Sequence, residues 1–158
     1  MEGESVIEVI VYGMPAPQGS KRFVGTTKSG RGLMVESSAK VKPWREAVKH
    51  AAREAMQRSG MLTPMDGPLV MDAWFTLPKP KSAPKSRVTY PATKPDLSKL
   101  LRSTEDALTD AGLWADDARV IGGQHWKRYP GEGPGSLASP GAVIRVWTMA
   151  EWLKERGT

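Results

Sequence analysis

Between Leu97 and Ala111 the apolar and small residues recur at a helical spacing. Leu97, Leu100, Leu101, Thr104, Ala107, Leu108 and Ala111 fall on one stripe. Ser98, Arg102, Glu105 and Thr109 share another face, within about 60° of one another at roughly 100° per residue. Pro95 cannot occupy a helix interior, so Asp96 is placed as the N-cap. Gly112 reads as the stop, with Leu113 and Trp114 returning toward the core. A stripe this regular has to be buried against a second layer, which commits the chain to a layered fold.

The ends of this segment carry acids: Asp96 at the helix start, Asp116 and Asp117 after the return. Acids brought together from two places suggest a divalent metal site, because a hard cation such as Mg²⁺ needs only a few carboxylates and keeps several waters. Such a cation activates water and stabilises charge on a phosphodiester. The same spacing also suits a plain helix cap followed by turn acids, and the residues alone leave both readings open.

The order Lys94-Pro95-Asp96-Leu97-Ser98-Lys99-Leu100, then Asp106-Ala107-Leu108, then Asp116-Asp117-Ala118-Arg119-Val120 resembles the RusA-type Holliday-junction resolvases. Their pattern runs D-L-D-N/K-L-x-K/R, then D-A-L, then D-D-x-Q-V. The close match covers about 28 residues, Thr93–Val120, with weaker likeness over most of the chain. The resemblance implies incision of four-way DNA junctions by a homodimer that depends on Mg²⁺, with Mn²⁺ as a substitute. It places the family's essential acids on Asp96, Ser98 and Asp117 and its essential basic residue on Arg102. Asp96, Arg102 and Asp117 are therefore the catalytic candidates. Asp96 and Asp117 lead the metal set, followed by Asp116, Glu105 and Ser98.

Two positions depart from the pattern. Ser98 stands where the family has an acid, and a hydroxyl is a poor replacement for a carboxylate on Mg²⁺. Glu105 stands where the family has an apolar residue. The two are two turns apart on one face, roughly 10 Å along the axis, and helical side chains lean toward the N-terminus. Glu105 is thus a candidate to compensate for Ser98. The alternative is a catalytically weakened or inactive dimer that binds junction DNA. Arg102 in place of Lys keeps the charge but not the geometry.

A net charge of +6 and a pI of 9.7 favour a polyanionic partner. The cations are clustered. Lys21, Arg22, Lys28 and Arg31 follow the first strand, Lys79, Lys81, Lys85, Arg87 and Lys94 crowd the segment before the acidic helix, and Lys127 and Arg128 follow the acidic pair. Lys21, Arg22, Lys94, Lys99, Arg119, Lys127 and Arg128 are the DNA-binding candidates, through phosphate contacts. The absence of cysteine excludes disulfides and thiolate chemistry and fits a reducing cytoplasm, that of a host cell if the source is viral. No apolar run is long enough to span a membrane, and Met1–Val11 does not read as a secretory signal. His50 and His125 form no motif. No helix-turn-helix or zinc-finger pattern supports a sequence-specific regulator.

The remaining segments complete an α/β chain read as one domain, 1–158, of order β-α-β-α-β-β. A single layer of mixed sheet carries helices on one face, and the chain is expected to be dimeric. Ser5–Val11 is a near-continuous apolar strand, expected to be central. Thr26–Gly32 reads as a mobile loop or hairpin tip. A helix starts near Pro43 and buries Trp44, Ala47, Val48, Ala51, Ala52, Ala55 and Met56, ending at Gly60. Leu69–Leu77 is the second strand, with Asp72 and Trp74 facing away from the core. Pro78–Pro91 is a flexible basic loop. Ala118–Lys127 is a third strand weakened by Gly122-Gly123, and Ala142–Thr148 a fourth, paired antiparallel to it. Met149–Arg156 forms a tail helix whose Trp152 seeks a partner surface.

Overall fold

A computed structural model describes residues 6–19, 21–26, 32–36 and 39–157, with side chains for 6–19 and 39–157. The strands are β1 (Ile7–Tyr12), β2 (Lys21–Thr26), β3 (Gly32–Glu36), β4 (Leu69–Thr76), β5 (Val120–Gly122), β6 (His125–Arg128) and β7 (Gly141–Thr148). The helices are α1 (Val41–Arg58), α2 (Leu97–Ala111) and α3 (Met149–Glu155), and Asp117–Arg119 makes one 3₁₀ turn. This is an α/β fold around a five-stranded mixed sheet.

The sheet runs β1-β7-β4, and β5 and β6 share the remaining edge of β4. β7 is antiparallel to both β1 and β4, which are therefore parallel to each other, as the helical crossover requires. They are not neighbours, because β7 lies between them. The expected pairing of the last two strands is absent as well: β6 and β7 flank β4 from opposite sides, β6 parallel to it. β1 is an edge strand rather than a central one, and its burial alternates along the strand. The central positions go to β4 and β7, which bury both faces along most of their length.

One face of the sheet, formed by Ile7, Val9 and Val11, Leu69, Met71, Ala73 and Phe75, and Ala142, Ile144 and Val146, packs on α1 and α2. α2 has the bounds its stripe predicts, and each fully buried leucine on it, Leu100 and Leu108, contributes about 1.5–3 kcal/mol. Gly112 closes the helix at φ +84, a conformation glycine adopts without a Cβ penalty. The Trp44 indole donates to Thr104 Oγ1 at 3.2 Å, tying α1 to α2 inside the core. α1 begins two residues before Pro43, which the first turn tolerates because its N–H groups have no intrahelical partner.

Between Ala118 and Lys127 the chain makes a turn and two short strands instead of one strand. A Cβ on Gly123 would stand 1.7 Å from the Met71 carbonyl oxygen, and its φ is +146. The backbone of β4 therefore passes where a side chain would be. Asp72 accepts the Gln124 N–H at 2.8 Å and is buried in doing so, not a surface residue. His125 Nε2 lies 3.2 Å from the Met71 carbonyl, while His50 is exposed and faces Glu54 at 3.2 Å.

β2 and β3 pair antiparallel as a separate two-stranded sheet on either side of the segment read as a loop or hairpin tip, adding two strands that the expected β-α-β-α-β-β order left out. Residues 27–31, which carry Lys28, Arg31 and the expected hairpin tip, lie outside the described residues, as do the side chains of Lys21 and Arg22. The segment from Pro78 to Pro91 has no regular structure, yet it is tied down. Lys79 Nζ bonds Glu132 at 2.6 Å, and Thr89 N–H donates to the same carboxylate at 2.9 Å.

Candidate functional site

The start of α2 is set from three directions. Gln18 N–H donates to the Lys99 carbonyl at 2.9 Å, and Ser103 Oγ donates to Ala16 O at 2.7 Å. From β6, Lys127 Nζ donates to the carbonyls of Thr93 and Pro95 at 2.8 and 3.0 Å. Asp96 occupies the N-cap position with extended backbone, but its carboxylate accepts no cap bond. Asp96, Ser98, Lys99 and Arg102 are all exposed.

The acidic pair is held by the return after α2. The Trp114 indole donates to Thr109 Oγ1 at 2.7 Å, and Met65 N–H donates to Leu113 O at 2.8 Å. Asp116 caps the 3₁₀ turn, its Oδ1 accepting from Ala118 N at 2.8 Å. A shallow concavity of about 250 Å³ is lined by Asp106, Asp110, Asp116 and Asp117, with Arg45 bonded to Asp110 at 2.9 Å.

Electrostatics link this concavity to α2. Partial burial, then the charges of Asp117 and Asp106, push the Glu105 carboxyl up from 4.5 to about 7. Asp117 is also raised, by desolvation, by a hydrogen bond with the Asp116 side chain, and by the charges of Asp116 and Asp106, while Arg102 pulls the other way. Arg102, Glu105, Asp106, Asp116 and Asp117 therefore form one coupled group. The raised carboxyls of Glu105 and Asp117 suit a hard divalent cation, which would relieve the cost of their negative charge. Among the described residues no three His, Asp or Glu side chains are grouped so as to hold a metal ion. That is compatible with Mg²⁺, which is held by one or two carboxylates and water.

Asp96 lines a second cavity, at the start of α2, together with Lys94 and Lys99, and is not among the residues that line the acidic concavity. Ser98 sits four residues before Arg102, about 6 Å along the axis, between the two. The remaining DNA-binding candidates scatter. Arg119 pairs with Asp66 at 2.6 Å, Lys127 holds the α2 entry, and Arg128 lies 4.7 Å over the Trp126 ring and donates to Pro134 O at 3.2 Å. Asp106 carried part of the family resemblance in the sequence but was not among its site candidates. Its signal was its place four residues after Arg102, where helical side chains meet.

Comparison with known proteins adds two findings. The family model described as endodeoxyribonuclease RusA matches residues 13–136. A Bacillus subtilis (strain 168) protein, the uncharacterized YqaN, is 29% identical over 124 residues, which span 73% of this chain and 82% of that protein.

Proposed function

Since this chain belongs to the endodeoxyribonuclease RusA family, we propose that it is a Mg²⁺-dependent nuclease that incises four-way DNA junctions as a homodimer. The observation that carries this reading is the coupled acid group on α2 and the following turn, with Asp117 at its centre and Arg102 beside it. Asp117, with Asp116 or Glu105 beside it, would hold the cation through one or two carboxylates and water, and Asp96 and Ser98 at the start of α2 are the further positions the family resemblance assigns to it. Bound there, Mg²⁺ supplies an activated water and neutralises charge developing on the phosphate.

The protein's own groups have separable parts. Arg102 orients the scissile phosphate by charge-assisted hydrogen bonds and offsets the repulsion among the acids. Glu105, its carboxyl raised to about 7, is partly protonated near neutral pH and would give up that proton to hold a cation. Lys94 and Lys99 contact the phosphate backbone at the entry to α2. Two incisions related by symmetry need one site per strand, which a two-fold dimer provides. No helix among the described residues is long and apolar enough to cross a membrane.

A second reading is favoured by Ser98, which stands where the family has an acid: a dimer that binds junctions and does not cut them. Titrating Mg²⁺ into a labelled four-way junction distinguishes the two. Paired nicks across the junction that appear with Mg²⁺ support the nuclease. Tight binding with no product at any Mg²⁺ or Mn²⁺ concentration supports the binding protein.

A further inference from the structure

The cavity at the start of α2 is about 440 Å³, within the range of about 300–1,000 Å³ of clefts that take small organic groups. Its walls are apolar: Met14 and Pro17 from the segment after β1, Leu77 and Pro80 from the segment after β4, and Tyr129 after β6. Leu77 and Tyr129 are buried, so the floor is part of the packed core. Lys79 Nζ, held by Glu132, stands 5.8 Å over the Tyr129 ring. Lys40, Lys94 and Lys99 line the same cavity, and Asp96 opens onto it.

Lysines alone would serve a phosphate backbone, which has no use for an apolar chamber with a tyrosine in its wall. An apolar chamber alone would not gather three ammonium groups. A nucleotide combines a flat apolar face with a phosphate on each side, and it fits both halves. The N–H groups of the first turn of α2, to which the Asp96 side chain makes no cap bond, add to the attraction for phosphate. We propose that this cavity receives one unpaired nucleobase of the DNA substrate, stacked against its apolar wall, with Lys40, Lys94 and Lys99 on the flanking phosphates. Extrusion is least costly where bases are already unpaired, as at the crossover of a junction. The seated base would then set which phosphate reaches the acid group, and so act as a specificity element. This rests on the nuclease reading above.

The test uses four-way junctions in which single nucleotides around the crossover are replaced, one at a time, by an abasic analogue, without divalent cation. Removing the base at one position should weaken binding by the protein about tenfold, as burial of roughly 55 Å² of base against an apolar wall would give. Met14→Trp, at a half-exposed wall position, and Pro80→Trp, at an exposed one, fill the cavity. In each, the intact junction should bind more weakly, and removing that base should have no further effect. Base removal that costs nothing at every position, or costs the filled variants as much as the parent, overturns the cavity proposal. Cleavage of the junction alongside such a result leaves the nuclease reading standing. Failure of the parent protein to bind any junction in low salt overturns both. If the filled variants do not fold, as judged by thermal melting, the abasic series on the parent protein still decides.

Discussion

The two ends of α2 carry opposite chemistry. At its start, Lys40, Lys94 and Lys99 surround an apolar cavity. One to two turns further on, Glu105 and Asp106 join Asp116 and Asp117 in an acidic group, where burial and then neighbouring negative charge raise the carboxyls of Glu105 and Asp117. The helix dipole reinforces the first, since an N-terminus favours anions. The contrast teaches that one helix can hold a polyanion at one point and a cation at another, with Arg102 at the border screening each from the other. Binding and cutting should therefore separate under mutation.

Asp117→Asn should separate them most. Cleavage of a labelled junction should fall by orders of magnitude, while affinity in a gel-shift assay holds or improves because a negative charge near phosphate is gone. Parental cleavage by this variant would remove Asp117 from the metal site. Ser98→Asp tests the border, and is expected to raise cleavage about tenfold and to lower the Mg²⁺ required. If Glu105 compensates for Ser98, Glu105→Leu should abolish cleavage in the parent and be tolerated beside Ser98→Asp, a coupling that a double-mutant cycle measures. Additive effects would end the compensation idea.

The acid end should also be visible without DNA. Glu105 has its folded pKa raised above 4.5 to about 7, so the folded state binds more protons than the unfolded one between those values. Its contribution to stability is complete below about 4.5 and lost as pH rises through about 7; Asp117, raised in the same direction, adds to the loss. In EDTA the Tm should fall over that window, and Glu105→Gln should flatten the fall. Mg²⁺ should restore more Tm at pH 8 than at pH 5. An unchanged profile in Glu105→Gln would show that Glu105 titrates like a free carboxyl. The smallest effect is expected at the basic end. Lys94→Ala and Lys99→Ala should each weaken binding modestly and reduce the slope of log affinity against log salt by about 1. A slope that neither substitution changes would take phosphate away from this end.

Sequence periodicity alone determined α2 to its last residue, because an amphipathic stripe, a proline before it and a glycine after it act within the helix itself. The tail helix and the main bounds of α1, β4 and β7 were legible for the same local reason. The sequence motif likewise pointed to the RusA family. What local pattern could not carry was order in the sheet. A strand's neighbours depend on which apolar faces remain to be covered, so β7 took the centre and β1 the edge. The break at Gly122-Gly123 became legible as a close approach only once the Met71 carbonyl stood against Gly123. The hairpin of β2 and β3 was hidden because its pairing partner, and not its own periodicity, makes it a strand. The same limit held for the candidate site. Spacing could suggest that acids return to α2, but only tertiary packing put Asp106 beside Asp117 and left Asp96 among lysines, because charges interact across space and not along the chain.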